Sequence, residues 1–430
     1  MSNQIKNIGG VAKELLYQLD NKLSFMKGVK NKYSNEFAQD GAKIGDTINV
    51  KWIENVPVKR GPVAEVQPFV EKTLPIQITD DYWYQTAIEF GSKELALSIE
   101  DFNAKTNLEQ IMASMANEIE EDVLKLALKT PNMLGTPAST PGTTAGAGYL
   151  RSGAPVIFGN ASAVLTQMGA PRNNRTMALD TTAMANSVGA NAALFNPSAD
   201  ISSQYREGRI TRNMNFDFIE NVNIPTIVTG TRTAGTVLVS STNGDSTIQV
   251  TGVGANATVN AGEHFIVTGV FGVNPMSQNS TPFNRMFVVL ADAVANAAGQ
   301  ITLSIAPEIR LSNPAKLVGG TLVKRYPALP IDVNGNVTAL PTAGAVVTFS
   351  GAASTTTVLN LAHQQDAIVT TSVDLPLIGG ADKCVRVSHN GISLRLWTDG
   401  DIHNSTKITR IDTIIVPTLV RPDLAVVLFG

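Results

Sequence analysis

The chain has 430 residues, 43% of them apolar and 16% charged, with a net charge of −3; such a composition can fill a sizeable core and excludes a wholly disordered chain. The weak negative balance excludes a strongly basic surface dedicated to nucleic acid. The single cysteine, Cys384, excludes a disulfide framework and a cysteine-based zinc site, and fits a reducing compartment.

The length predicts two or three folding units. The first residues lack the pattern of a signal peptide. No apolar run approaches the roughly 20 residues that span a bilayer. The expectation is a protein made in the cytoplasm with no membrane partner. With 35 glycines, 21 prolines and many Thr, Asn and Val, strands and turns should dominate.

Ile8, Val11, Leu15, Leu19, Leu23 and Met26 recur every three or four residues, which makes one apolar stripe on a helix. A stripe of this kind packs on its own domain or on a neighbouring subunit. Val11, Leu15, Leu19 and Leu23 are therefore candidate subunit-interface residues. Ile44, Gly45-Asp46, Ile48, Val50 and Ile53 read as a turn entering a strand. Leu74, Ile76 and Ile78 read as the return strand. The charged, proline-punctuated connection between them has too few apolar residues to bury itself, so it should project and lie on something. Lys59, Arg60, Glu65 and Glu71 are the candidate interface charges there.

The strongest helical pattern covers residues 103–130, with Leu108, Ile111, Met112, Met115, Ile119, Val123, Leu126 and Ala127 on one face. At about 1.5 Å per residue it would be roughly 40 Å long, a strut. Ser98 and Asp101 resemble a capping box. Glu118, Glu120, Glu121 and Asp122 read as a solvated helix face rather than a cation site. A Gly/Pro/Thr-rich loop follows. Then come helix signals at 161–168 and 181–188 around a short strand at 176–179.

Residues 226–355 are nearly uncharged, a shift that suggests an inserted domain. Short β-branched runs at 236–239, 248–250, 264–267, 286–290 and 301–305, separated by Gly/Asn turns, predict a small antiparallel barrel or sandwich. The runs at 237–239, 265–267 and 287–290 should form its core. An insertion needs its ends close together, so the chain should leave and return near Pro225 and Leu359. Two further strands are expected at 407–417 and 425–428.

Catalytic chemistry is sparse. The four histidines, His264, His363, His389 and His403, have no metal-ligand spacing, and no HExxH, GxGxxG, phosphate loop or GxSxG elbow occurs. Asp399-Gly400-Asp401 begins like a calcium loop but lacks the remaining ligands. Cys384 reads as a small buried hydrophobe. The expectation is no catalytic, cofactor or metal site.

The ordered motifs resemble the major capsid proteins of tailed bacteriophages with the HK97-type fold, and most closely the P22-type coat protein family. Residues 12–16 (Ala-Lys-Glu-Leu-Leu) and 21–25 resemble the family's first helix. Residues 33–37 and 43–50 resemble the approach to its E-loop, and 94–102 with 108–119 its spine helix. Ala170-Pro171-Arg172, residues 177–180, 205–208 and Phe216-Asp217 resemble its A-domain. Residues 261–275 resemble its inserted domain, and 360–363 the point where the A-domain resumes. Two departures stand out. The turn at 243–246 is short, where some members carry a long acidic loop that crosses a twofold axis. His363-Gln364-Gln365 replaces apolar and basic residues.

The resemblance implies an α+β fold with an N-terminal arm (1–45), an E-loop (46–90), a P-domain with the spine helix (91–155) and a first A-domain part (156–225). It further implies an inserted β-barrel (226–350), a second A-domain part (351–400) and C-terminal strands returning to the P-domain (401–430). The implied function is structural, not enzymatic. Hexamers and pentamers of the chain would close an icosahedral shell around double-stranded DNA, without sequence-specific binding and with scaffolding and portal proteins as partners. The protein would reside in the virion, and in the host cytoplasm during assembly. The alternative is a β-rich phage tail, adhesin or surface-layer protein, which would repeat its β-modules and lack a long straight helix.

Overall fold

The computed structural model describes residues 8–34, 47–53, 71–91, 105–135, 156–192, 210, 212–277, 279–312, 317–318, 321–322, 335–380, 382–401, 404 and 406–429. The chain forms two compact units. The first comprises Met1–Val50, Leu74–Val123 and Ile368–Thr418; the second comprises Lys51–Thr73, Leu124–Ala367 and Leu419–Gly430. Both are strand-rich, and the fold is α+β.

The chain opens with α1 (Ile8–Lys22), β1 (Lys30–Ser34), β2 (Thr47–Ile53), β3 (Glu71–Gln77), β4 (Trp83–Gly91) and α2 (Lys105–Leu124). β2 and β3 pair as the alternating apolar runs predict. The connection between them lies outside the described residues, as do Ser98 and Asp101. α2 buries Met112, Met115, Ala116, Ile119 and Val123, the helical stripe expected of its sequence. It ends at Leu124, and Lys125–Lys129 tighten into a 3-10 turn. The single 103–130 helix is thus shortened. Thr130 precedes Pro131, which disfavours helical backbone for it, and it is extended, at φ −85° and ψ 118°.

Next come β5 (Met133–Leu134), α3 (Val156–Gln167), β6 (Arg175–Leu179), α4 (Thr181–Ala192), β7 (Arg212–Asn213), β8 (Phe216–Glu220) and β9 (Thr226–Val228). The low-charge stretch supplies β10 (Gly235–Val237), β11 (Asp245–Thr251), β12 (Thr258–Val259), β13 (His264–Val273), β14 (Ser280–Val289) and β15 (Ala293–Val294). It continues with β16 (Gln300–Ile309), β17 (Leu317–Val318), β18 (Thr321–Leu322) and β19 (Val346–Phe349). The chain ends in β20 (Thr356–Gln364), β21 (Ile368–Val373), β22 (Lys383–His389), β23 (Ile392–Asp401), β24 (Thr406–Leu419) and β25 (Ala425–Phe429).

In the first unit the sheet runs β1-β21-β24-β23-β22, with β4 added along β24. β1 lies parallel to β21, while β4, β24, β23 and β22 are antiparallel neighbours. α1 packs on β22 and β23. Asp412 of β24 is wholly buried and accepts hydrogen bonds from Trp83, Arg395, Trp397 and Arg410. One carboxylate thereby ties β4, β23 and β24 together.

In the second unit the sheet runs β5-β25-β20-β6-β8-β7, and the start of β20 also pairs with β9. β20 is central, antiparallel to both β25 and β6. Strands β10-β11-β16-β14-β13-β19 close a separate six-stranded antiparallel barrel. Its core holds Val237, Val250, Phe265, Phe287, Leu303 and Phe349. Val239 and Leu290, placed in the core runs by the sequence, are exposed. Each lies beyond the end of its strand, β10 closing at Val237 and β14 at Val289. The barrel is an insertion: Leu359 N–H donates to the Pro225 carbonyl at 2.9 Å, so the chain leaves and returns at adjacent points.

Candidate functional site

The stripe of the first helix finds cover within its own unit. Leu15, Leu19 and Leu23 are buried on a helix packed against β22 and β23, and Val11 is half-buried. Of the two partners open to such a stripe, the fold supplies the intrachain one. α1 is then tied down at its end. The Glu120 carboxylate of α2 accepts the Phe25 N–H at 2.7 Å and the Ser24 hydroxyl at 3.2 Å. Deleting residues 1–27 should therefore damage folding. It removes Leu15, Leu16, Leu19, Leu23 and Phe25, all buried, each worth about 1.5–3 kcal/mol. Expression of the truncated chain should give aggregate; a soluble monomer with native circular dichroism would contradict this. Lys59, Arg60 and Glu65 lie outside the described residues. Glu71 opens β3.

The most elaborate polar construction is the neck of the barrel, where the chain enters and leaves it. Glu263, just before β13, is fully buried. Its Oε1 accepts the N–H groups of Gly230 and Asn260, both at 2.7 Å. Its Oε2 accepts Arg232 Nε at 2.7 Å. Arg232 in turn donates to the Ser350 and Gly351 carbonyls, and its guanidinium lies 4.6 Å from the Phe349 ring centre. Thr229 N–H donates to the Thr355 carbonyl, and Thr355 N–H to the Thr229 hydroxyl. One ion pair therefore joins the incoming strand, the outgoing strand and the start of β13.

A second set of contacts fixes the barrel to the seven-stranded sheet. His264 Nε2–H donates to the Thr130 carbonyl at 2.7 Å, and its ring meets Phe429 edge-on at 5.4 Å. Arg285, almost wholly buried, pairs with Asp423 and touches the Met168 sulfur. Asn274 donates to the Gln167 carbonyl at 2.6 Å. Gly262 turns at φ +86°, and a Cβ there would lie 2.7 Å from Leu128. Glycine adopts this left-handed turn without strain and leaves the Leu128 side chain where it is.

Burial pushes the pKa of His264 down to about 4, against weaker support for its charged form from backbone carbonyls. Burial does the same to His363 on β20, also to about 4. Unfolded, each titrates near 6.5. Below pH 6.5 the unfolded chain takes up protons that the folded chain refuses, so stability falls as pH falls toward 4. The loss is about 1.4 kcal/mol per pH unit for each histidine. From pH 6.5 to pH 5 the pair should cost about 3 kcal/mol, measurable by urea unfolding. Replacing both by glutamine should flatten that slope; an unchanged slope would refute the assignment.

Open cavities occur in both units among the described residues. One, of about 510 Å³, lies between β4 and α2 and is bordered by Trp83, Tyr84, Glu118 and Asp122. Burial, and then the 2.7 Å hydrogen bond to Asp122, push the Tyr84 hydroxyl far above its ordinary pKa. Another, of about 550 Å³, lies beside α3 in the second unit. Among the described residues no three His, Cys, Asp or Glu side chains come together to hold a metal ion. Asp399 accepts the N–H of the next residue, Gly400, within β23, and Asp401 accepts from Asn404. Cys384 is half-buried on β22.

The neck pair and the Arg285–Asp423 pair escaped the sequence reading. A signal for them existed. In a stretch almost devoid of charge, an isolated Arg232, Glu263 or Arg285 among β-branched residues marks a buried, partnered group.

No family model matches the sequence, and no curated protein matches it. Among solved structures, the chain is similar to one from Mycobacterium phage Che8, at 10% identity and a TM-score of 0.44 over 94% of this chain and 89% of that one. It is similar to the capsid of cyanophage P-SCSP1u, at 12% identity and a TM-score of 0.41 over 93% and 85%. It is also similar to the mature capsid of bacteriophage PhiM1, at 11% identity and a TM-score of 0.41 over 94% and 86%.

Proposed function

We propose that the chain is the major capsid protein of a tailed bacteriophage, with an HK97-type fold of the P22 coat protein kind. Many copies would assemble as hexamers and pentamers into an icosahedral shell enclosing double-stranded DNA, helped by scaffolding and portal proteins. The observation that carries the reading is the order of its motifs on the fold. The stretches at 12–16, 108–119, 177–180, 216–217, 261–275 and 360–363 coincide in turn with α1, α2, β6, β8, β13 and β20, and one closed barrel interrupts the chain between β9 and β20. The Arg232–Glu263 and Arg285–Asp423 pairs and the His264–Thr130 hydrogen bond, each of which joins separate elements, suit a wall component.

In this reading α2 is the spine of the P-domain, and residues 46–90 are the E-loop that reaches a neighbouring subunit. Lys59, Arg60, Glu65 and Glu71 meet opposite charges there. Val11, Leu15, Leu19 and Leu23 join a neighbour only if α1 is exchanged between copies, because their own unit already covers them. The test is negative-stain imaging of the purified chain, alone and with its scaffolding protein. Closed shells are expected; monomers or rods under every condition would overturn the reading. Single exposed pairs contribute only about 0–1 kcal/mol, but the contact repeats in every copy. Arg60→Glu should therefore lower the yield of shells while leaving the subunit's circular dichroism unchanged. Unaltered yield and particle stability would remove Arg60 from the interface.

A further inference from the structure

The cavity beside α3 carries an unusual charge arrangement. Arg175, almost fully buried on β6, directs all its donors at neutral acceptors. They are the carbonyls of Ser162, Ala170 and Pro171 and the hydroxyls of Ser162 and Thr166. Capping the end of α3 accounts for that side chain. It does not account for Arg172. This second arginine is exposed on the cavity wall and has no ion pair among the described residues. Its backbone carbonyl is held by Asn215 Nδ2 at 2.7 Å. Burial, and then the nearby positive charge of Arg172, push Arg175 below its ordinary pKa, as expected where two cations lie close with no anion between them. The described lining includes no carboxylate.

The hydroxyls add direction. The Thr166 O–H donates to the Ser162 carbonyl at 2.8 Å and is used up. Ser162 Oγ accepts from Arg175 Nη1 at 2.9 Å, so its own hydrogen is left to donate, polarised by the guanidinium behind it. Gly159, one turn earlier on the same face, has open space where a Cβ would stand.

We propose that this cavity is an oxyanion site, in which the Arg172 guanidinium and the Ser162 hydroxyl bind a phosphate or carboxylate group. The proposal does not depend on the shell reading, because binding is read on the unassembled subunit. The experiment titrates the full-length chain with inorganic phosphate and with acetate at constant ionic strength, by calorimetry. Saturable binding of either ion is expected. Phosphate alone assigns a phosphate group as the ligand, and acetate alone a carboxylate side chain. A charge-assisted hydrogen bond is worth enough that Arg172→Ala should weaken binding about tenfold or more. Ser162→Ala should weaken it less. Gly159→Leu, which fills the cavity, should abolish it. Arg212→Ala, which alters an exposed arginine paired with Asp217 and absent from the lining, should leave it unchanged. No saturable binding by the wild type, or equal binding by Arg172→Ala, would overturn the proposal. Should the leucine variant fail to fold, the exposed Arg172 substitution decides alone.

Discussion

Phe265→Ala is expected to unfold the barrel. The ring is completely buried, stacked on Phe287 at 5.5 Å between centres and against Phe349 at 5.7 Å. The three rings come from β13, β14 and β19, so the substitution leaves a cavity where three strands meet. A Phe→Ala change at such a site costs about 3–5 kcal/mol, a large part of a domain's whole stability. In the full chain the effect should appear as aggregation during folding, with any shells that do form keeping normal stability. The excised 226–350 fragment should melt cooperatively as a β-rich monomer, and the substitution should abolish that transition. A fragment unfolded in isolation, together with a silent Phe265→Ala, would mean that the closed barrel is not an independent module.

The second large effect is expected at the neck. Glu263→Gln keeps the shape of the side chain but leaves Arg232, only 4% exposed, without its counter-charge. Breaking a buried pair from one side costs about 3–5 kcal/mol, since the remaining charge stays desolvated. Removing both partners as Arg232→Met with Glu263→Leu should recover only part of that loss. The Gly230 and Asn260 N–H groups, which Glu263 accepts, would still be orphaned at about 1–3 kcal/mol each. Urea unfolding of Arg232→Met, Glu263→Leu and the double variant closes the cycle. Hydrogen exchange should speed up at Gly230 and Thr355, where the chain ends of the barrel meet. Additive losses in the cycle would show that Arg232 and Glu263 do not act as a pair.

The sequence by itself determined the elements and the insertion. The three-to-four-residue spacing of Leu15, Leu19 and Leu23, and of Met112, Met115 and Ile119, is sufficient for α1 and α2, because helical periodicity is a local property. The β-branched runs coincide with β10, β11, β13, β14 and β16 for the same reason. The drop in charge at 226–355 marked a segment with its own core, and the Leu359–Pro225 hydrogen bond closes it where an insertion must close. Only the tertiary structure decided which strand joins which sheet. β25 enters the second sheet beside β20 and β5, while β24, a few residues earlier, lies in the first sheet against β4 and β23. β1 runs parallel to β21, with Lys30 opposite Val369. Pairings between such distant residues leave no periodic trace, since each strand satisfies its own alternation whichever partner it takes. The buried charges follow the same logic. Arg285 and Asp423 are unremarkable apart, and become a joint only when folding removes Arg285 from water and leaves the half-buried Asp423 as its nearest compensation.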